Sequence, residues 1–194
     1  VVQARSWGRW TDFSAADLVV CTTLGTPIMG ESKCTLDSLV EAYGRTGHKY
    51  PGNVYANKGA SDIAAFCQIL IEEANAEGVR AEILFAQAMI ETGWLQFGGS
   101  VKADQCNFGG IGAVNASAAG TSFGSVREGL RAQTQHLKAY ACEDSLVNAC
   151  VDPRFSLVKR GIAPCTEDLN GKWAVPGTGY GQNISRIAGT VVVR

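Results

Sequence analysis

The stretch AEILFAQAMIETGWLQFGG, residues 81–99, decides the fold. From position 83 to position 90 its side chains are apolar on almost every side, with Gln87 as the one polar break. A helix that is hydrophobic all round is normally buried. Gly93 can take the left-handed conformation that ends a helix, which places Glu91 in the last turn. The sequence therefore predicts a buried central helix with a carboxylic acid at its end.

Two effects should keep Glu91 protonated near neutral pH. Burial disfavours the charged carboxylate, and so does the negative end of the helix dipole, so both raise its pKa. A carboxylic acid that is protonated near neutral pH can act as a general acid. The alternative is a structural role, with Glu91 solvated or held by an arginine or by backbone donors.

The residues that follow Glu91 are typical of a sugar-binding cleft. Trp94 and Phe97 come first, and a glycine-rich segment then surrounds Asn107 and Phe108. Aromatic rings stack on sugar faces, and glycines let the backbone approach a ligand closely. The glycines of this segment are Gly98, Gly99, Gly109, Gly110 and Gly112.

Five motifs together resemble the bacterial endo-β-N-acetylglucosaminidase domains that cut peptidoglycan, the glucosaminidase family of autolysins. They are FAQAMIETGWLQFGG, QCNFGGIGA, SFGSVREGLRAQTQHLKAY, VDPRF and NGKWAVPGTGYGQNI. The resemblance implies a mostly α-helical (α+β), lysozyme-like fold with a substrate cleft and long glycine-rich loops. It also implies that Glu91 is the catalytic acid and that peptidoglycan glycan strands are the substrate.

Length and composition are consistent with one domain. The 194 residues, of which 46% are hydrophobic, suffice for one core. We expect a catalytic domain over residues 28–194, and residues 1–27 as a lead-in or the end of a preceding module. The sequence begins at Val1 and shows no initial Met, charged n-region or apolar h-region, so we expect it to be a segment of a longer product. We therefore expect a monomeric part of a larger modular protein, secreted or associated with the cell wall, from a bacterium or a phage.

Charge and residue usage exclude several classes of protein. The net charge of −1 gives no basic field for nucleic acid, and no run reaches the roughly 18 apolar residues of a membrane span. The chain has seven cysteines, none in a CxxC pair, and only two histidines, so we expect no metal and no organic cofactor. Local disulfide candidates are Cys142–Cys150 and Cys21–Cys34, while Cys67 reads as a buried thiol.

Hydrophobic spacing predicts further helices around the central one. Thr35 should cap a short helix that Gly44 closes, and residues 44–59 read as a loop. A second helix should open at Ser61 and run to about Glu77, before Gly78. We expect the acidic residues of this helix to lie on its solvent-exposed side. They are Glu72, Glu73 and Glu77.

The second half of the chain should add two longer helices. Ser125 and Glu128 make a capping box for a helix that ends near Ala141. Residues 152–155 form a turn with an ion-pair candidate between Asp152 and Arg154, followed by a short helix. The last helix is expected from about residue 182 to residue 188.

Glycoside hydrolysis usually needs a second carboxyl group besides the acid. The candidates are Asp104, Asp152 and Glu128, in that order. Glu128 ranks last because the capping box already gives it a structural role. Alternatively, the 2-acetamido group of the substrate serves as the nucleophile. The sequence does not decide between these routes.

Other residues are expected to line the cleft. Tyr140 joins Glu91 and Asp104 as a catalytic candidate, and His136 lies one turn before Tyr140 on the same helix. A lone helical histidine is more often a satisfied structural group than a catalyst. The expected substrate-binding residues are Trp94, Asn107, Phe108, His136, Trp173 and Tyr180. Tyr50 and Tyr55 could border a sugar subsite or anchor local packing.

Three alternatives remain open from the sequence. The first is an inactive wall-binding module on the same fold. The second is a cysteine hydrolase with Cys106 as nucleophile and His136 as base. The third is a muramidase or lytic transglycosylase, which keeps the fold and a single helical glutamate but cuts after N-acetylmuramic acid.

Overall fold

The computed structural model describes residues 25–113 and 120–193, and their secondary structure is almost entirely helical. The lead-in predicted for residues 1–27 therefore lies mostly outside the described residues. Within the described part, β-structure is limited to isolated bridges, such as Pro27 with Cys165. The expected mostly α-helical, lysozyme-like class is confirmed. The α-helices are α1 Leu36–Gly44, α2 Gly52–Tyr55, α3 Ile63–Glu77, α4 Ala81–Thr92, α5 Val126–Ala141 and α6 Tyr180–Gly189.

Helix α4 is the buried centre of the fold, as its sequence predicts. Its side chains from Ala81 to Met89 are all buried. Helix α3 packs against α1, α4 and α5, while α6 packs against α4. Tyr180, the first residue of α6, hydrogen-bonds Gln87 and Glu91 of α4, so the end of α4 meets the start of α6 at the site described below.

The ends of the first helices follow their sequence signals closely. The Thr35 hydroxyl accepts the Ser38 N–H at 3.2 Å, which confirms the cap of α1. Gly78 and Gly93 both adopt the left-handed conformation that ends α3 and α4. The cap of α3 is Asp62 rather than Ser61, because the Asp62 carboxylate accepts the Ala65 N–H at 2.8 Å.

The expectation of a loop over residues 44–59 is wrong in its second half. Helix α2 forms there and continues into a 3-10 turn at Ala56–Lys58. The side chain of Tyr55 is fully buried, so it anchors this segment in the core and offers no face to a sugar. Tyr50 packs its ring 5.9 Å from that of Tyr55, and this is local packing as well.

The prediction of a solvated acidic side on α3 holds for Glu72, which is exposed, and is wrong for Glu73 and Glu77. Glu73 is 3% exposed and Glu77 is 2% exposed. Glu73 forms ion pairs with Arg127 and Arg131 of α5. Glu77 forms an ion pair with the buried Lys138 at 2.9 Å. The carboxylates are buried because α5 covers them with matching cations, which the pattern of one helix cannot reveal.

The later helices begin close to their predicted positions. The Ser125 hydroxyl accepts the Glu128 N–H at 3.1 Å and caps α5. In a capping box the Glu128 carboxylate would accept the backbone N–H of Ser125. It instead accepts the N–H of Gly124, one residue earlier, at 2.7 Å. Helix α6 begins at Tyr180, two residues earlier than predicted. A 3-10 turn at Phe155–Leu157 confirms the short helix after the predicted turn.

Both local disulfide pairings are wrong. Cys34, Cys142 and Cys150 are free thiols, and Cys165 is disulfide-bonded. Cys67 is a fully buried free thiol, as predicted. Nearness in sequence does not bring two Cβ atoms to the separation and orientation that a disulfide needs. Among the described helices, none has the length and apolar character of a membrane span.

Candidate active site

Glu91 lies at the end of α4, on the wall of a cavity of about 380 Å³. The helix stops at Gly93, whose φ of 57° and ψ of 52° turn the chain away. Other walls come from Phe97, from Gly110 and from Trp173. The acid therefore lies at the end of the buried central helix and faces the cavity.

The pKa of Glu91 is raised, in the direction that the sequence predicts. Burial is the largest cause, because a carboxylate loses its hydration there. Hydrogen bonds from Tyr180 and Trp173 act in the opposite direction and lower the pKa. Burial prevails over both, so this arrangement favours a protonated Glu91 over a broader pH range than in water.

The two carboxyl oxygens of Glu91 have different surroundings. Oε1 accepts the hydroxyl of Tyr180. Oε2 faces Gly110, where a Cβ atom would come within 3.2 Å of it. Gly110 has a φ of +65°, so the position suits glycine in both conformation and space. Oε1 is thus bonded to Tyr180, and Oε2 lies beside the Gly110 backbone that lines the cavity.

A buried chain of hydrogen bonds supports Tyr180 from behind. Gln87 Nε2 donates to the Tyr180 hydroxyl oxygen at 3.1 Å, and Gln133 Nε2 donates to Gln87 Oε1 at 2.9 Å. Because an amide N–H donates to that oxygen, the Tyr180 hydrogen is left to point at Glu91. Sequence reasoning missed Gln87 as a functional residue, although it was visible as the polar break in an apolar helix.

His136 and Asp152 form a second polar pair beside the cleft. His136 is 8% exposed, and its Nδ1 lies 2.7 Å from Asp152 Oδ2. Asp152 Oδ1 accepts the backbone N–H of Arg154 at 2.9 Å. This hydrogen bond takes the place of the ion pair that was predicted between the Asp152 and Arg154 side chains. The His136 ring packs edge-on, with its centroid 4.8 Å from that of Trp173. Asp152 thus occupies Nδ1 of His136, and the His136 ring supports Trp173.

A second cavity, of about 200 Å³, continues from the first. Both cavities are lined by Gly109, Gly110, Ala113 and Trp173, so they are neighbouring parts of one cleft. The second part is also lined by His136, Tyr140, Arg154 and Lys172. Tyr140 and Trp173 therefore both reach the cleft, as the sequence suggests.

Two candidates for the second carboxylate lie away from this cleft. Asp104 is exposed on a 3-10 turn, and its charge acts on the phenol of Tyr55 and the thiol of Cys106. Glu128 caps α5 at Gly124. Among the described residues that line the two cavities, Glu91 is the one carboxylate.

Three expected sugar contacts have other roles in the structure. Phe108 is fully buried, with its ring centroid 5.1 Å from that of Phe66, so the expectation that it contacts sugar does not fit its burial. Asn107 is also buried. Its side-chain amide donates to the carbonyl of Ile111 and accepts the N–H of Ile111, which holds the turn that contains Gly109 and Gly110. Trp94 packs against Phe85, 6.1 Å between centroids, and does not line the cavities.

The geometry does not support the thiol alternative. Cys106 is fully buried, and burial raises its pKa to about 11, so the thiol stays protonated and inaccessible. Among the described residues, His136, its proposed base, hydrogen-bonds Asp152 and makes no hydrogen bond with Cys106. In the described part of the chain, no group of His, Cys, Asp and Glu side chains could hold a metal ion.

Comparison with known proteins agrees with this architecture. The family model described as mannosyl-glycoprotein endo-beta-N-acetylglucosaminidase matches residues 67–189. An uncharacterized protein of Borreliella burgdorferi is 40% identical over 147 residues, which make up 76% of this chain and 68% of that protein. No solved structure matches the chain. This chain therefore belongs to the mannosyl-glycoprotein endo-beta-N-acetylglucosaminidase family, a family of glycoside hydrolases.

Proposed function

We propose that this protein hydrolyses the β-1,4 bond on the reducing side of N-acetylglucosamine in peptidoglycan, with Glu91 as the general acid. The observation that carries the proposal is the position of Glu91, which is held at the end of a buried helix on the wall of the cleft. Its raised pKa suits a proton donor near neutral pH. The substrate implies that the protein is secreted or associated with the cell wall.

In this mechanism Glu91 Oε2 donates its proton to the oxygen of the leaving sugar. Tyr180 keeps Oε1 occupied, so the acid presents one defined oxygen to the substrate. Trp173, which lines both parts of the cleft, offers a ring on which a sugar can pack. After the proton leaves, the hydrogen bonds from Tyr180 and Trp173 stabilise the carboxylate that remains.

The second catalytic group is proposed to come from the substrate. Glu91 is the one carboxylate among the described cavity-lining residues, which supports a route through the 2-acetamido group. Its carbonyl oxygen would attack the anomeric carbon as the bond to the leaving oxygen breaks. Water, deprotonated by Glu91, would then open the resulting ring. This route predicts retention of configuration at the anomeric carbon.

The test compares the wild type with Glu91→Gln on purified peptidoglycan. The substitution keeps the shape of the side chain and removes the proton donor, so release of reducing ends should fall by at least about 100-fold. Circular dichroism should show unchanged folding. The new ends should be N-acetylglucosamine, and fresh products observed by NMR should have the β configuration.

Each other result would overturn a defined part of the proposal. Equal activity of the two proteins would remove Glu91 from the acid role. New ends of muramic or anhydromuramic acid would indicate a muramidase or a lytic transglycosylase. Binding to the wall without any cleavage would indicate a binding module. Loss of activity in Asp104→Asn, with folding intact, would replace the acetamido route with a protein carboxylate.

A further inference from the structure

The second part of the cleft differs in charge from the part that holds Glu91. Its lining includes the cations Arg154 and Lys172 and the ring of His136, and no carboxylate. Because the two parts share Trp173 and the Gly109–Gly110 backbone, a chain that crosses Glu91 extends directly into it. The cleft therefore has an acid at one end and positive charge at the other.

Both cations are available to a ligand. Within the described residues, neither Arg154 nor Lys172 takes part in an ion pair, and both side chains are exposed. The Lys172 ammonium donates one hydrogen bond, to the Asp168 carbonyl at 2.7 Å, and keeps its charge unneutralised. The carboxylate nearest to Arg154 in sequence, that of Asp152, is hydrogen-bonded to His136 and to a backbone N–H.

The frame that carries these cations is well fixed. Asp152 Oδ1 holds the backbone of Arg154, and Tyr140 OH donates to the carbonyl of Lys172 at 3.3 Å. The Arg154 charge lies close enough to lower the pKa of the Tyr140 phenol, against a larger upward effect of burial. The backbone of Arg154 is held at this wall, and its guanidinium can bind a planar carboxylate through two parallel N–H donors.

We propose that Arg154 and Lys172 form a cationic subsite that binds a carboxylate of the glycan next to the cleaved bond. The inference rests on the proposed function. In peptidoglycan, alternate sugars carry peptide stems with free carboxylates, whereas a polymer of N-acetylglucosamine or a mannosyl glycan core is neutral. The subsite would make this enzyme prefer a carboxylate-bearing glycan to a neutral one.

The test uses soluble peptidoglycan fragments in two forms. One form keeps its stem carboxylates, and the other has them converted to amides with carbodiimide and ammonia. Phosphate-bearing wall polymers are first removed with hydrofluoric acid, so that carboxylates are the anions present. For the wild type, we expect kcat/KM on the carboxylate form to exceed that on the amide form by about tenfold or more.

The variant Arg154→Gln/Lys172→Gln should bring this ratio close to one. The matched control is Arg186→Gln, which removes an exposed arginine from α6 outside the cavity linings and should keep the wild-type ratio. A wild-type ratio near one would overturn the subsite. So would a variant that keeps the full preference.

A binding measurement separates failure of the subsite from failure of the proposed function. Calorimetry on Glu91→Gln with the intact fragments should show tighter binding than with the amidated fragments. Adding Arg154→Gln and Lys172→Gln should abolish that difference. If no protein cleaves either form but this binding difference is present, the catalytic proposal fails and the subsite stands. If binding is equal for both forms, the subsite is refuted, whatever the activity.

Discussion

The Tyr180 hydroxyl hydrogen-bonds Oε1 of Glu91, although 89 residues separate the two in sequence. Glu91 lies in the last turn of α4, and Tyr180 is the first residue of α6. Because these two helices pack on each other, the phenol is delivered to the acid by the core of the fold. The protonation of Glu91 is therefore coupled to a packing contact as well as to burial.

Tyr180→Phe should shift the pH dependence of activity. The change removes a donor that lowers the pKa of Glu91, while burial still raises that pKa. A general acid loses activity as pH rises through its pKa, so the alkaline limb of the kcat/KM profile should move to higher pH. We expect a loss of about tenfold or more at neutral pH, because Oε1 also loses its anchor. An unchanged limb would show that the hydroxyl does not tune the acid.

Gln87→Met should shift the same limb in the same direction, by a smaller amount. The substitution conserves volume and removes the N–H that directs the Tyr180 hydrogen toward Glu91. A purely structural role would lower the melting temperature and leave the pH profile in place. The comparison of the two profiles therefore decides whether Gln87 positions the proton of Tyr180 or only fills the core.

Gly110→Ala should reduce activity by about tenfold or more, because a methyl group would approach the Oε2 atom from which the proton is transferred. The positive φ of Gly110, +65°, adds a conformational cost of about 1 kcal/mol for alanine. Gly99→Ala is the matched control, since Gly99 also lines the cavity but a Cβ there meets no atom within 4 Å. Similar losses in both variants would mean that Oε2 is not the reacting oxygen.

The central part of this site could be predicted from the sequence because its signals are local. An apolar run, a glycine after it and a single acid in the last turn define α4 and Glu91, and the structure has both. Trp173 and Tyr180, which were expected to contact sugar, both hydrogen-bond Glu91, a contact that the sequence did not predict. Here the residues that determine the geometry are close in sequence or form part of a family motif.

The errors arise where a distant element decides the environment. Phe108 follows a motif of cleft residues, but Tyr55 and Phe66 enclose its ring in the core. Asp104 lies near Glu91 in sequence, yet the intervening turn directs it to the surface. Burial and exposure of such residues depend on which helix covers them. Sequence spacing describes only their own segment.

Glu91→Gln should stabilise the protein at neutral pH. The folded-state pKa of Glu91 is raised by burial, so its contribution to stability is present in acid and is lost as pH rises through that pKa. Glutamine has no charge to desolvate, so the variant should have the higher melting temperature above the pKa. Below about pH 4 the two proteins should converge, since the glutamate is then protonated in both states. A constant difference across this range would exclude linkage to Glu91.

The ion pair between Glu77 and Lys138, which joins α3 to α5, should make the free energy of unfolding fall at low pH. Both residues are buried, and Glu77 also accepts the N–H groups of Val147 and Asn148. Burial acts to raise the pKa of Glu77, but these hydrogen bonds and the Lys138 charge leave it lowered overall. The stabilisation is thus present above the unfolded-state pKa of about 4.3 and is lost as pH falls through the lower folded-state value.

Glu77→Gln should therefore cost about 3 kcal/mol of unfolding free energy at neutral pH, because Lys138 keeps a buried charge without its partner. Denaturant unfolding measures this loss, and the gap from wild type should narrow as the pH falls below about 4. The control Glu72→Gln, on the exposed part of the same helix, should change stability by less than about 0.5 kcal/mol. Adding Lys138→Gln to Glu77→Gln should recover part of the loss, since it removes the unpaired charge. If the double variant is as unstable as the sum of the single variants, the two side chains do not interact as a pair.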